Sequence, residues 1–367
     1  MKVGLNLMFL VDAAGGAGRY AVELVPALLE AEPELALTVF VNRDAPASVT
    51  QAAWAGEVDW VAFPTRFSNR THLLGQAVGI PGSAAWKRLD VVHSLANGGP
   101  PLTPGVRRVV TLLDLIWLHQ RENWGTPGAV RTMAVLTRIS ARTAHRVITI
   151  SEAAREDLVE HFGLAPDTID VTPLGVRVPD GADEPTRAVE QPIVLCVAQK
   201  RPYKNLATLI RATAELADER LILVLPGSPT EHERELRGLV ESLGVTDRVR
   251  FEGWVSDEHL ESLYASATCF VLPSLIEGFG LPVLEAMARG IPVACSDRPA
   301  LPEVAGDAAL LFDPTDQAAV TDAVRRLITD AELRTSLAKR GRERALAFSW
   351  RRTAEETLAS YRRAVGE

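Results

Sequence analysis

Cysteine is scarce in this chain: three in 367 residues, at Cys196, Cys269 and Cys295. An odd number with no CxxC spacing argues against a disulfide framework and against a zinc–thiolate site. Each lies in or beside a short apolar run, at 193–197, 269–272 and 293–295, and reads as a small buried residue of a reducing compartment. Positive charge is also in short supply, with 39 Lys and Arg against 47 Asp and Glu, a formal charge of −8 and a pI near 5.5. That balance argues against broad nucleic-acid affinity, so any anionic ligand has to be held by a local pocket and not by the global field. No stretch of 18 or more residues is free of charges and helix breakers, so no membrane-spanning helix is expected. The start reaches Asp12 and two glycines too soon for a secretory leader, and a cytoplasmic protein is expected. Short-period repeats, low-complexity tracts and heptads are missing as well.

What is present is an alternation of strand and helix signals in an ordinary globular composition, 47% hydrophobic and 23% charged. The alternation predicts α/β architecture with parallel sheets. In the first half, strands are expected at 3–8, 37–41, 60–63, 91–93, 109–112 and 147–150, with helical periodicity at 19–30, 130–143 and 152–161. The second half repeats the design: strands at 193–197, 221–225, 249–251, 269–272, 291–294 and 309–312, and helices at 206–216, 232–243, 257–266, 283–289 and 317–328. Between the halves, 178–185 has no apolar period and is rich in breakers. The expected organisation is a Rossmann-like domain over 1–175, a linker over 176–190, a second Rossmann-like domain over 191–347 and a last helix within 348–367. Open α/β sheets bind ligands at the carboxyl ends of their strands.

The most informative stretch runs from Glu277 through Gly278, Phe279, Gly280, Leu281, Pro282, Val283 and Leu284 to Glu285. It reads as a strand, a glycine-rich turn and a helix, with an acid at each end of the turn-helix unit. Gly278 and Gly280 leave the turn free to take positive φ or to let a ligand approach the backbone. Pro282 suits the first turn of a helix, where its missing N–H is not needed. Gly290 suits the position just past the helix end. The amides of 279–283 then collect at a helix N-terminus, a ready anion site. Two carboxylates beside it would repel a bare phosphate but suit a ligand with hydroxyls on either side of its phosphates, such as a sugar nucleotide. A plain βα turn with two solvated glutamates is the competing reading.

The whole stretch from Phe270 to Asp297 closely resembles the signature of the retaining glycosyltransferases of family four, which have a GT-B fold and two acids separated by seven residues. The resemblance implies that Glu277 meets the transferred sugar and Glu285 the nucleotide ribose. It also implies that the turn Gly278, Phe279, Gly280 and Leu281 meets the diphosphate and the sugar. After the 193–197 strand come Gln199, Lys200, Arg201, Pro202, Tyr203, Lys204 and Asn205, a cation cluster suited to a diphosphate. Relatives carry an arginine and, five residues on, a lysine. Lys204 matches the lysine, whereas Gln199 and Tyr203 stand where the arginine is usually found, and Lys200 and Arg201 are both left as sources of a second charge.

Further matches are weaker. Asp12 to Tyr20 resembles the family's first loop, in a mannosyltransferase-like branch, with Gly16 and Gly18 approaching the donor. A dinucleotide enzyme would carry an acid at the end of its second strand, and here that end is Phe40, Val41, Asn42 and Arg43. Gly253, Trp254 and Val255 resemble the base-binding turn, with Trp254 either a stacking platform or a packing residue. Gly227 fits a loop below the diphosphate or a simple strand stop. Relatives place His-Asp after the fifth strand; this chain has Leu113 and Asp114, with His119 further along. Asp114 is read equally as an acceptor-side group and as a cap. Aromatics and cations at 63–70 and 86–88 leave weak membrane association open beside a plain helix-loop surface.

The resemblance thus implies a GT-B protein, two Rossmann-like domains facing a cleft, whose last helix crosses back to the first domain. It implies metal-independent, cofactor-free, retaining transfer of a hexose from a UDP-, GDP- or dTDP-sugar to a glycan, glycolipid or small-molecule hydroxyl. Catalytic roles would fall on Glu277, Lys204 and Asp114. No Asp-x-Asp cradle stands at a suitable strand end, and helix amides and lysine would offset the leaving charge. Leu113 and the missing arginine suggest one rival, a non-catalytic sugar-nucleotide-binding partner; a GT-B epimerase acting on the nucleotide sugar itself is a second.

Overall fold

A computed structural model describes residues 1–11, 16–66, 71–96, 98–121, 124–179 and 191–367. The opening of the first glycine loop (12–15), the cation-aromatic stretch at 67–70 and most of the expected linker (180–190) lie outside the described residues. The chain divides into two compact units, Met1–Gly175 with Trp350–Glu367, and Val176–Ser349.

The first unit is built on seven parallel strands: β1 (Lys2–Asn6), β2 (Ala36–Val41), β3 (Asp59–Ala62), β4 (Val91–Ser94), β5 (Arg107–Thr111), β6 (Arg146–Thr149) and β7 (Ile169–Val171). Their order is β3-β2-β1-β4-β5-β6-β7, the doubly wound arrangement in which the connections reverse direction between β1 and β4. Parallel pairing needs crossover helices, which cover both faces and explain why the central strands are continuous apolar runs. β4 is buried along its whole length. The edge strand β3 is exposed or half-buried throughout.

The C-terminal helix Trp350–Val365 belongs to this first unit. Trp350, Thr353, Ala354, Thr357, Leu358, Tyr361 and Ala364 are buried, the i, i+3, i+4, i+7 spacing of a helix with one covered face. Tyr361 Oη lies 2.7 Å from His93 Nδ1, and His93 Nε2 lies 2.7 Å from Thr111 Oγ1. Tyr20 Oη reaches the same Thr111 at 3.3 Å. Burial pushes the His93 imidazole down to about 3 and the Tyr20 phenol up to about 12, so both are neutral in the folded chain at ordinary pH. Ser360 Oγ donates to Asp170 at 2.6 Å, and Thr353 Oγ1 to the Pro173 carbonyl at 2.7 Å. The helix is therefore held by buried hydrogen bonds as well as by apolar contact.

The second unit has six parallel strands: β8 (Ile193–Leu195), β9 (Ile222–Pro226), β10 (Val249–Gly253), β11 (Cys269–Leu272), β12 (Val293–Ser296) and β13 (Ala309–Phe312). The order β10-β9-β8-β11-β12-β13 repeats the winding of the first six strands of the first unit, with the reversal between β8 and β11. The three cysteines are buried here, and burial lifts each thiol to about 12, far from the thiolate form that reacts.

The observed elements differ from the expected ones at particular places. β12 begins at Val293 instead of 291, because Gly290 turns at φ +68° and Ile291 N bonds back to Ala286 O at 3.0 Å. β7 has three residues, too few to show a period. The helix Ala331–Ala345 has no strong apolar stripe, yet it packs through Gly341, where an added Cβ would stand 3.2 Å from the Met287 side chain. No helix among the described residues is long and apolar enough to cross a membrane.

Candidate active site

In the second unit the reversal between β8 and β11 sets the segments after these two strands beside each other. After β8 the chain makes a tight turn, Pro202–Lys204, and enters the helix Leu206–Glu215 through Asn205 at φ +55°. Asparagine tolerates this left-handed conformation. Asn205 Nδ2 fastens the turn to the Pro314 carbonyl at 2.8 Å. After β11 the chain passes Ser274 and Glu277 and turns at Gly280 into the helix Leu281–Ala288. Leu275 N donates to Tyr203 O at 2.8 Å, which ties the two segments together.

This places Lys204 Nζ 2.6 Å from Glu277 Oε1, with the side chains only 15% and 8% exposed. Ser274 Oγ donates to the same carboxylate oxygen at 2.7 Å. Burial alone would depress the Lys204 ammonium; the Glu277 charge and hydrogen bond outweigh it, and the net shift is upward. The two residues thus form a compact charge pair at the carboxyl edge of the sheet.

Gly280 caps the helix at φ +106°, and a Cβ there would stand 2.5 Å from Leu301 Cδ2. Only glycine satisfies both constraints. The helical ladder begins with Val283 N to Gly280 O at 2.9 Å, and Pro282 has no N–H. The N-terminus therefore presents the amides of Phe279, Gly280 and Leu281 to an anion. Phe279 is buried edge-on against Phe348, with ring centroids 5.9 Å apart, and anchors the turn. One turn into the helix, Glu285 is 5% exposed and accepts a hydrogen bond from Tyr264 Oη at 2.9 Å. Arg289 stacks over the Tyr264 ring at 4.5 Å and pairs with Glu261, which holds the phenol in place.

Lys200 is removed from the list of phosphate cations. Its side chain is wholly buried, and Nζ donates to Leu225 O at 2.7 Å and Gly227 O at 2.6 Å. Burial depresses its ammonium to about 8. Lys200 pins the end of β9, and the run of cations that looked like a solvated or ligand-facing cluster is split by burial. Gly227 itself sits at φ +129°, and an added Cβ would fall 2.3 Å from the Ala198 carbonyl oxygen. Gly227 N donates to Gly253 O at 2.6 Å, so the loops after β8, β9 and β10 form one backbone-bonded floor. Arg201 Nε donates to the exposed Gln199 side chain at 3.0 Å. Beyond Gly253, Trp254 is 65% exposed, a flat face open to a ligand, and Val255 is half-buried.

In the first unit, Gly16 and Gly18 open the helix Gly16–Ala31, Gly18 buried and Gly16 with open space where a side chain would be. Asp114 Oδ1 accepts from Ile116 N, the first amide of the short helix Ile116–His119, at 3.0 Å. At the β1/β4 reversal stands a polar cluster that sequence reasoning missed. Asn6 Nδ2 donates to Gln76 Oε1 at 2.8 Å and Ser94 Oγ at 3.0 Å, and His72 lies 3.4 Å from Gln76. Its signal was faint, a polar residue closing each of two apolar strands.

Residues 14–180 match glycosyltransferase family 4, and residues 182–344 match the glycosyl transferases group 1. The chain is 30% identical over 370 residues to the O-antigen chain mannosyltransferase B of Escherichia coli, covering 95% of this chain and 96% of that protein. The chain belongs to the family-four glycosyltransferases. It is also 33% identical over 299 residues to an MMP alpha-(1->4)-mannosyltransferase of Mycolicibacterium hassiacum, covering 75% of this chain and 71% of the relative. The sucrose-phosphate synthase structure from Thermosynechococcus elongatus superposes with a TM-score of 0.77 at 22% identity, covering 99% and 98% of the two chains. The two parallel-sheet units of this glycosyltransferase are thus the GT-B architecture, and Glu277 and Glu285 stand on the β11 connection of its second unit.

Proposed function

We propose that this glycosyltransferase moves a hexosyl group, with retention of anomeric configuration and without a metal ion, from a nucleoside-diphosphate sugar to a hydroxyl. The observation that carries the reading is the Lys204–Glu277 pair beside the Gly280 helix N-terminus. The donor diphosphate lies on the amides of Phe279, Gly280 and Leu281 and takes the Lys204 ammonium as its counter-charge. Glu277, released from Lys204, accepts hydrogen bonds from the sugar hydroxyls. Glu285, oriented by Tyr264, accepts from the ribose. Trp254, with Gly253 and Val255, receives the base, and Gln199 and Gly227 border the phosphates.

In the transfer step the bond from the anomeric carbon to the diphosphate oxygen breaks. The bond to the acceptor oxygen forms on the same face, and the acceptor proton passes to the departing diphosphate oxygen. Charge developing on that diphosphate is offset by the helix amides and Lys204, aimed at it in advance. The first unit holds the acceptor, through the Asn6, Ser94 and Gln76 cluster and Asp114, whereas Gly16 and Gly18 are assigned to the donor. Mannose is the first sugar to try, since two relatives are named as mannosyltransferases. A cytoplasmic setting accords with three buried thiols.

The test is a panel of UDP-, GDP- and dTDP-hexoses with soluble and lipid-linked hydroxyl acceptors, in excess EDTA, with product anomers assigned by NMR. Nucleoside diphosphate release with an α-product from an α-donor is expected. An inverted anomer, epimerised donor without transfer, or activity abolished by chelation and restored by magnesium would overturn the proposal.

A further inference from the structure

Away from the groups used above, the first unit brings two imidazoles and a carboxylate together. His119 ends the short helix Ile116–His119, and Asp157 and His161 lie four residues apart on the helix Glu152–Phe162. That spacing puts both side chains on one face. His119 Nε2 is 2.8 Å from Asp157 Oδ2, and His161 Nδ1 is 3.2 Å from Asp157 Oδ1. One ligand atom from each residue falls within 4.8 Å of the others, the one such grouping of His, Cys, Asp and Glu among the described residues. The imidazole rings meet edge to face at 4.9 Å.

We propose that His119, Asp157 and His161 form a binding site for a divalent transition cation of the zinc class. Imidazole and carboxylate donors suit such an ion better than calcium or magnesium, which favour sites made of oxygen. Bonds of about 2.0–2.2 Å around a tetrahedral zinc set its donors roughly 3.4 Å apart. Binding a cation lengthens the 2.8 and 3.2 Å contacts to Asp157 and draws together donors that lie up to 4.8 Å apart, by side-chain rotation. They are 24–30% exposed as side chains, so an ion can enter from solvent and the fourth position is left to water. His161 also lies in the last turn of its helix, where backbone carbonyls favour positive charge.

An ion here joins two elements that are 38 residues apart in the chain. The helix carrying His119 is the one whose first amide bonds to Asp114, so the cation acts as a clip on the segment that follows β5. The site is made of first-unit residues only and does not depend on the proposed transfer mechanism.

The test uses the full tag-free chain, stripped with EDTA and dialysed, then titrated with zinc alone by calorimetry and with cobalt(II) by visible absorption. One equivalent of zinc, a rise in Tm and an intense four-coordinate cobalt spectrum are expected. Even an outer-shell partner of a metal commonly costs about tenfold or more in affinity when removed, so H119A, D157N and H161A should each lose at least that much. H232A and H259A, which alter other surface histidines, should bind zinc as the parent does. Circular dichroism checks that each variant is folded. Absence of saturable one-to-one binding, or zinc affinity unchanged in both H119A and H161A, would overturn the proposal.

Discussion

Replacing Lys204 is the sharpest probe of the donor site, because the residue faces a buried acid and, in the proposed reading, a phosphate. Lys204→Met keeps the stem and removes the charge. It leaves Glu277, 8% exposed, with Ser274 but without its cation. Breaking a buried pair from one side costs about 3–5 kcal/mol, because the remaining charge stays desolvated. Partial exposure of Lys204 and the Ser274 bond bring this to roughly 2–4 kcal/mol in the second unit. Separately, loss of a charge-assisted bond to phosphate costs about 1.5–3 kcal/mol, roughly tenfold to more than a hundredfold in nucleoside diphosphate affinity. A single mutant confounds the two, since a stranded carboxylate also repels the ligand. The double mutant Lys204→Met with Glu277→Gln separates them. Stability, read as the urea midpoint, should recover most of its loss, while calorimetric affinity for the nucleoside diphosphate should remain at least about tenfold below the parent. If affinity returns to the parental value in the double mutant, Lys204 serves only to neutralise Glu277 and the phosphate role is refuted. The upward shift of Lys204 adds a pH signature. Stability from this group is fully present below the unfolded lysine value of about 10.4 and is lost as pH rises through the higher folded value.

Other outcomes are expected as well. Tyr264→Phe should weaken nucleoside diphosphate binding by a few-fold, and Glu285→Ala more strongly, by calorimetry; unchanged affinity in Glu285→Ala would end its ribose role. Gly227→Ala, with its Cβ 2.3 Å from the Ala198 carbonyl oxygen at φ +129°, should cost about 1–3 kcal/mol in a denaturant melt, and a parental melting curve would contradict the close-packed floor. Burial holds His93 near 3, below its unfolded value of about 6.5, so its contribution is intact above pH 6.5 and is lost as pH falls toward 3, by at most about 1.4 kcal/mol per unit. His93→Gln should flatten that part of the stability–pH curve. Tyr361→Phe strips the hydroxyl from His93 Nδ1 and should cost about 1–3 kcal/mol, read as a lower Tm of the first unit.

How far the site could be read from sequence depends on the range of the interaction involved. Gly280 and Gly290 answer demands made by their own φ values, +106° and +68°, and Pro282 answers the start of its own helix. Such local constraints leave a local trace, so the turn between Glu277 and Glu285 was legible. The parallel α/β character of both sheets was legible for a similar reason, since parallel strands buried on both faces are apolar runs separated by helical periods. The ends of elements were less so: β12 starts where the Gly290 turn releases the chain, and no residue type marks that point.

Polar partners far apart in the chain leave no such trace. Tyr264 and Glu285 are 21 positions apart, Lys200 and Leu225 are 25, and Asn6 and Ser94 are 88. Each pair exists because strand order brings two loops or strand ends together, and nothing within either segment announces the other. Lys200 makes the point most clearly. Beside Lys204, which matched the family's lysine, it looked interchangeable with Arg201 as the source of a second charge for a diphosphate. The fold instead turns its ammonium under β9 onto two carbonyls, where it holds Gly227 against the loop after β8. Charge in a sequence states what a side chain can do; which of three neighbouring cations faces a ligand is decided by the packing beneath them. Lys204 alone of the three ends against Glu277 at the helix N-terminus, and it is there that a donor's negative charge would be balanced.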